Sequence, residues 1–175
     1  MHHLYALTLT ACLCIIAAAC QHRAENRNGE KAAADATLTQ EAQNEQLVRY
    51  FFEEVYNQGN FHVADSIVDP GYINYNKMHM EVLGPDGIKK AAAMQRAAFS
   101  NWRSVVDDVV AQGDMVVVRG HDEGDFTRDF MGIEATGNHF QITWIDMFRI
   151  KSGKLIESWV EVDMEDFRKQ LTHQE

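Results

Sequence analysis

Asp146 is the residue whose surroundings most favour acid–base chemistry. Trp144, Asp146 and Phe148 alternate along a predicted strand and therefore point to the same face of it. A carboxyl group among aromatic side chains has a raised pKa, which allows it to transfer protons near neutral pH. The alternative is a structural role, in which Asp146 bonds to a neighbouring hydroxyl or backbone amide.

A following strand adds further candidates if residues 152–153 form a two-residue turn. The facing pairs are then Phe148 with Glu157, Asp146 with Trp159, and Trp144 with Glu161. We interpret the aromatic members as walls of a substrate-binding pocket, with Glu161 as a second carboxylate in it. A bulge near the turn would change these pairs. The alternative to a substrate-binding role is that the tryptophans belong to the hydrophobic core and that Glu161 is a solvated surface acid.

His121 is a candidate helper of Asp146, because imidazole exchanges protons near neutral pH. A predicted hairpin with its turn at residues 113–114 places Asp108 opposite Arg119 and Val106 opposite His121. A partly exposed strand histidine is the alternative. Residues 121–125 contain this histidine and three acids, but strand alternation divides them between two faces, so we predict no metal site there.

The elements that must position these residues begin with helices and continue with strands. Apolar residues at intervals of four predict a helix from Thr39 to Asn57, and a short helix follows over residues 61–68. A third helix begins at Gly84-Pro85, and its apolar face includes Ile88, Ala91, Ala92, Gln95, Ala98 and Phe99. Residues 72–75 are extended, residues 127–138 form a long loop, and residues 165–171 form a last helix.

Valine-rich runs separated by glycine turns predict antiparallel strands over residues 102–112, 115–126, 140–150 and 155–164. Helices followed by a meander of strands indicate an α+β fold, in which helices cover one face of a curved antiparallel sheet. The chain has 175 residues, which suits one domain, and a net charge of −10, which argues against nucleic acid as a partner.

The amino terminus has the pattern of an export signal. Residues 4–19 are apolar except for two threonines, and Cys20 follows three alanines. We predict a signal peptide over residues 1–19, lipid attachment at Cys20, a flexible tether over residues 20–39 and a folded domain over residues 40–175. The protein is then a component of the bacterial cell envelope that contacts the membrane only through this anchor. Plain secretion after Ala19 is the alternative.

Seven short segments in a fixed order resemble the SnoaL-like polyketide cyclase family. They are residues 51–61 (FFEEVYNQGNF), 69–74 (DPGYIN), 84–87 (GPDG), 116–119 (VVVR), 130–133 (FMGI), 136–137 (TG) and 145–159 (IDMFRIKSGKLIESW). The resemblance implies a nuclear-transport-factor-2-like cone, in which a curved antiparallel sheet and three helices enclose a deep pocket. Because this fold often pairs through its open sheet face, a dimerisation scaffold is a third alternative for the function.

Cyclases of this family use an aspartate as general acid and base for an intramolecular aldol closure without a cofactor, and by motif position that role falls on Asp146. Tyr75 stands where many members have a pocket histidine, so Tyr75 is a second candidate helper and Tyr72 a further wall. We therefore expect a cofactor-free enzyme that transfers a proton next to a carbonyl of a small hydrophobic molecule. A non-catalytic binding or interaction module of the cell envelope is the alternative.

Overall fold

The computed structural model describes residues 39–76 and 81–172, and its main compact unit begins at Glu41. The predicted signal segment, Cys20 and the tether up to residue 38 lie outside the described residues. None of the described helices combines the length and the apolar content needed to cross a membrane.

Helices and strands follow one another in the described chain in the order that the sequence predicts. The helices are α1 (residues 39–51, continued by a π-helical segment Phe52–Asn57), a 3-10 turn Phe61–Val63 leading into α2 (Ala64–Ile67), α3 (Gly84–Ala98) and α4 (Met164–Thr172). The strands are β1 (Val68–Asn76), β2 (Phe99–Gln112), β3 (Met115–Phe126), β4 (His139–Lys151) and β5 (Lys154–Val162).

The π-helical end of α1 changes which side chains face the sheet. The amide of Gln58 donates to the carbonyl of Glu53 at 2.9 Å, a span of five residues rather than four. The adjacent Phe51 and Phe52 are both buried in the core. Because such wide turns shift the helical register, α1 can present neighbouring aromatic rings to the sheet at its carboxyl end.

The five strands form one sheet in the order β1-β5-β4-β3-β2. Strands β2 to β5 form the predicted antiparallel meander. Strand β1 includes the predicted extended segment 72–75 and adds to the edge as a partner parallel to β5, an exception to the antiparallel pattern. The inner face of the sheet, defined here as the face that packs against α1 and α3, carries the core of the protein.

Strand alternation on β3 and β4 supplies this inner face. The inward positions are Val116, Val118, Gly120, Asp122, Gly124 and Phe126 on β3, and Phe140, Ile142, Trp144, Asp146, Phe148 and Ile150 on β4. Gly120 leaves room for the Trp144 ring, because a Cβ atom at this position would lie 2.5 Å from the ring and would also overlap the Val105 carbonyl oxygen.

The predicted register of the β4–β5 hairpin is correct only next to its turn. Ile150 faces Leu155, which is the pair that a two-residue turn at residues 152–153 requires, but a bulge follows, after which Phe148 faces Ser158 and Asp146 faces Val160. One extra residue in β5 therefore moves its later side chains to the opposite faces. The predicted pairs of Phe148 with Glu157, Asp146 with Trp159 and Trp144 with Glu161 are wrong for this reason.

The β2–β3 hairpin shows the same effect. Asp108 faces Arg119 as predicted. A bulge between Val106 and Asp108 then shifts the register, so that Val106 faces Gly120 and Val105 faces His121. The predicted pair of Val106 and His121 is therefore wrong.

Candidate functional site

A cavity of about 110 Å³ lies between the inner face of the sheet and helices α1, α3 and α4. Its walls are mainly aromatic and aliphatic side chains, such as Phe52, Phe99 and Phe140. The polar or acidic lining residues, apart from two tryptophans, are Tyr56, Asn74, Asn76, Gln95, Ser104, Asp122 and Asp146. A mostly apolar cavity with a few polar groups is the usual form of a small-molecule site.

Asp146 projects from the middle of β4 into this cavity and is only 7% exposed. Its Oδ1 atom has no hydrogen-bond partner among the described residues. Burial raises the pKa of the Asp146 carboxyl to about 8, and the nearby charge of Asp122 acts in the same direction. The Ser158 hydroxyl and the Met147 amide lower that pKa but do not offset the effect of burial. Asp146 is therefore mainly a neutral carboxylic acid at pH 7, able to donate a proton.

A hydrogen-bond network behind Asp146 joins β1 to β5. The hydroxyls of Tyr72 and Ser158 lie 2.7 Å apart, and the Asn74 amide donates to the Ser158 oxygen at 2.6 Å. Tyr72 is fully buried in the core and is not a cavity-lining residue. Burial and the neighbouring Asp146 raise the pKa of Tyr72, so its hydroxyl stays protonated. The network holds Ser158 in place beside Asp146.

Asp122 is a second carboxylate on the cavity wall. Its Oδ1 atom accepts hydrogen bonds from the Ser104 hydroxyl at 2.6 Å and from the Trp144 indole N–H at 2.9 Å. Burial raises the pKa of Asp122 to about 6, and the two hydrogen bonds and His121 limit that rise. Asp122 is therefore mostly ionised at pH 7, whereas Asp146 is mostly neutral. Two acids with separated pKa values can divide the roles of base and acid.

Ser104, which holds Asp122, is itself fixed by helix α1. Its amide donates to Oδ1 of Asn57 at 2.8 Å, and the Asn57 amide donates back to the Ser104 carbonyl at 3.0 Å. This paired contact joins the end of α1 to β2 directly beside the cavity. It links the π-helical segment to the geometry of the carboxylate.

Of the residues predicted to form the pocket, Trp144 and Asp146 line the cavity together. Trp144 stacks on Phe52 with a centroid distance of 4.8 Å. Phe148 shares their face but is fully buried in the core against Phe51 and Phe52, and it does not line the cavity.

The other predicted residues lie on the outer face of the sheet, away from the cavity. Tyr75 and Trp159 stack on each other at 5.5 Å, and the Arg149 guanidinium lies 5.8 Å from the Trp159 ring. Glu161 is exposed and pairs with Ile145. His121 alternates with Asp122 and therefore points outward, where its Nδ1 lies 3.1 Å from Asp107. The structure does not bring these four residues to Asp146.

Sequence reasoning missed most polar residues of the cavity, among them Gln95, Trp102 and Asp122. Asp122 continues the alternation of the inward residues Val116, Val118 and Gly120, and this alternation could have predicted that Asp122 faces the cavity. Gln95 is an amide on a helix face that is otherwise apolar. The sequence could not predict that Trp102 faces the cavity, because a bulge in β2 determines the direction of its side chain. Among the described residues, no group of three His, Cys, Asp or Glu side chains is arranged to hold a metal ion.

Comparisons with known proteins agree with this geometry. TsrD from Streptomyces laurentii is 29% identical, with a TM-score of 0.68 over 75% of this chain and 96% of that one. A protein from Jannaschia sp. CCS1 named as a SnoaL-like polyketide cyclase is 23% identical, with a TM-score of 0.70 over 77% and 95%. IdmH from Streptomyces antibioticus, named as a polyketide cyclase, is 23% identical, with a TM-score of 0.64 over 75% and 99%. The comparison with curated proteins found no match.

The solved structures share the α+β fold with its curved five-stranded sheet, so the predicted nuclear-transport-factor-2-like fold class is confirmed. The family model for the SnoaL-like polyketide cyclases matches residues 46–171, which include the strands and helices that build the cavity. That match covers well over half of the chain, and this protein belongs to the SnoaL-like polyketide cyclase family.

Proposed function

We propose that this protein is a cofactor-free acid–base enzyme that moves a proton next to a carbonyl group of a small hydrophobic molecule. Family membership supports a cyclase- or isomerase-type function. The observation that carries the proposal is the buried carboxyl group of Asp146 at an apolar cavity, whose Oδ1 atom has no partner in the part of the chain that the structure describes. A carboxyl group that is neutral at pH 7 can protonate a carbonyl oxygen as charge develops there.

Asp122 supplies the complementary base in this mechanism. Its carboxylate takes a proton from the carbon beside the carbonyl, and the C–H electron pair becomes the double bond of an enol. Asp146 simultaneously gives its proton to the carbonyl oxygen, so that both protons are accounted for. In both outcomes the enol O–H proton returns to Asp146 as the carbonyl re-forms. When the enol is conjugated with a further double bond, Asp122 gives its proton to the far carbon and the product is an isomer. When the enol carbon attacks a second carbonyl, Asp122 gives its proton to the oxygen of that carbonyl and a ring closes.

Hydrogen–deuterium exchange beside the carbonyl of 2-tetralone tests the proposal. The full-length chain should accelerate exchange in D₂O, measured by ¹H NMR, and Asp146→Asn should lose about 10²-fold or more of that rate. Trp159→Phe, on the outer face, is a matched control and should keep the rate. Equal rates for the wild type and Asp146→Asn would refute the assignment. Binding of the ketone without any acceleration would favour the non-catalytic binding module instead.

We also propose that the protein acts in the bacterial cell envelope, held by a lipid at Cys20. The apolar run 4–19 ending in three alanines and this cysteine supports the proposal. A small hydrophobic molecule is the partner that the cavity fits, and a second copy of this chain remains a proposed partner.

A further inference from the structure

Three buried side-chain atoms in the described part of the protein have no hydrogen-bond partner there. They are Oε1 of Gln95, Nε1 of Trp102 and Oδ1 of Asp146, and all three residues line the same cavity. Folded proteins satisfy nearly all of their buried polar atoms. Their concentration around one cavity therefore indicates a ligand that supplies the missing partners. The proposed proton transfer uses Asp146 and leaves the other two atoms unexplained.

A bulge in β2 determines the direction of the Trp102 side chain. Ser100 faces Asp125 and Arg103 faces Glu123, so β2 contains one extra residue at this point. Asn101 adopts a left-handed conformation with φ of 55°, and its amide donates to the Asp125 carboxylate at 2.7 Å. This bulge turns Trp102 to the buried side, where it is only 8% exposed. Bulges beside functional sites commonly redirect a side chain in this way.

Gln95 reaches the cavity from helix α3. Its neighbours Ile88 and Ala91 on the cavity side of the helix are apolar, so the amide is an isolated polar group there. The next residue, Arg96, donates from Nη1 to the carbonyl oxygen of Tyr56 at 2.9 Å. This contact anchors α3 to the end of α1 and fixes the stretch of helix that carries Gln95.

We propose that Gln95 and Trp102 form a hydroxyl-recognition subsite of the cavity, which selects carbonyl compounds that carry a hydroxyl group away from the reacting carbonyl. The Gln95 amide oxygen accepts the hydroxyl proton, and the Trp102 indole N–H donates to the hydroxyl oxygen. This subsite rests on the proposed function only for the placement of the carbonyl at Asp146. Among the described residues that line the cavity there is no Lys, Arg or His, and Asp122 carries a negative charge, so the subsite disfavours an anionic ligand.

Aryl ketones that differ only in the group away from the carbonyl test the subsite by isothermal titration calorimetry on the full-length chain. The probes are acetophenone, 3-hydroxyacetophenone, 4-hydroxyacetophenone and 4-methoxyacetophenone. We expect the better hydroxyacetophenone to bind about tenfold more tightly than acetophenone, as one or two new hydrogen bonds would give. Trp102→Phe and Gln95→Met should each remove most of this hydroxyl gain, measured as the ratio of the hydroxyacetophenone affinity to the acetophenone affinity in the same variant.

The methoxy probe separates the two contacts, because its oxygen accepts a hydrogen bond but has no proton to donate. Trp102→Phe should weaken its binding, whereas Gln95→Met should not. Trp159→Phe and Gln112→Met make the same replacements outside the cavity and should leave every affinity unchanged. Asp146→Asn should preserve the hydroxyl gain, so a failure of the proposed proton transfer would be visible separately. A hydroxyl gain that survives both cavity variants, or no binding of any probe, would overturn the subsite.

Discussion

The indole N–H of Trp144 donates a 2.9 Å hydrogen bond to the Asp122 carboxylate on the neighbouring strand. The same indole ring stacks on Phe52 of α1 and lies against Gly120, the residue that makes room for it. One side chain therefore fixes a carboxylate and forms part of the apolar wall. The proton chemistry proposed for this cavity depends on that combination, because the charge of Asp122 also raises the pKa of Asp146.

Trp144→Phe tests the first part of this relationship. Phenylalanine retains a ring that can stack on Phe52 but cannot donate to Asp122. We expect the pKa of Asp122 to rise from about 6, because a hydrogen bond that stabilises its charged form is lost. The free energy of unfolding should fall by roughly 1–2 kcal/mol. Carboxyl-carbon NMR titration and urea unfolding measure the two effects, with Trp159→Phe as control; an unchanged Asp122 titration would contradict this account.

The pH dependence of stability should identify Asp146. The unfolded chain loses the Asp146 proton near pH 4, whereas the folded protein keeps it until about pH 8. The folded state therefore binds more protons within this range, and the free energy of unfolding falls as pH rises through it. The fall between pH 6 and pH 8 should be about 2 kcal/mol.

Asn at position 146 cannot titrate, so the unfolding free energy of Asp146→Asn should be nearly constant between pH 6 and pH 8 when measured in urea. Asp122 contributes in the same direction, but mainly below about pH 6. The change in unfolding free energy between pH 6 and pH 8 therefore reports mainly on Asp146. Parallel curves for the wild type and Asp146→Asn between pH 6 and pH 8 would show that the Asp146 pKa is not raised.

Gly120→Ala should damage the cavity wall. The added methyl group would overlap both the Trp144 ring and the Val105 backbone, and backbone cannot move aside cheaply. We expect destabilisation of about 2–4 kcal/mol from this overpacking, measured by thermal or urea unfolding. Gly71→Ala is a suitable control, because its nearest neighbour is the Asp69 carboxylate at 3.3 Å. Similar stabilities for the two variants would contradict the close packing of Trp144 against β3.

Cys20→Ser tests the proposed anchor. Cells that express the wild-type chain with an alkyne-labelled fatty acid should incorporate the label and retain the protein in the membrane fraction. The serine variant should lose the label and leave that fraction, since serine cannot form the thioether that carries the lipid. An unlabelled wild-type protein in the soluble exported fraction would instead support plain secretion after Ala19.

The sequence by itself determined the elements of this protein and one part of its site. The helical repeat before Asn57 and the valine-rich strands around glycine turns are local patterns, and the structure contains them. Asp146 and Trp144 lie two positions apart on one strand, so their shared face follows from strand geometry without knowledge of any partner strand. The family motifs supported the same fold.

Tertiary structure decided how the strands pair beyond their turns. Single-residue bulges in β5 and β2 placed Trp159 and Glu161 outward and changed the partner of His121, and such bulges leave no clear trace in hydrophobic alternation. Gln95 and Trp102 meet at one cavity only because α3 packs across the sheet. A side chain's face is local information, whereas the set of side chains around a cavity depends on contacts between residues distant in the chain.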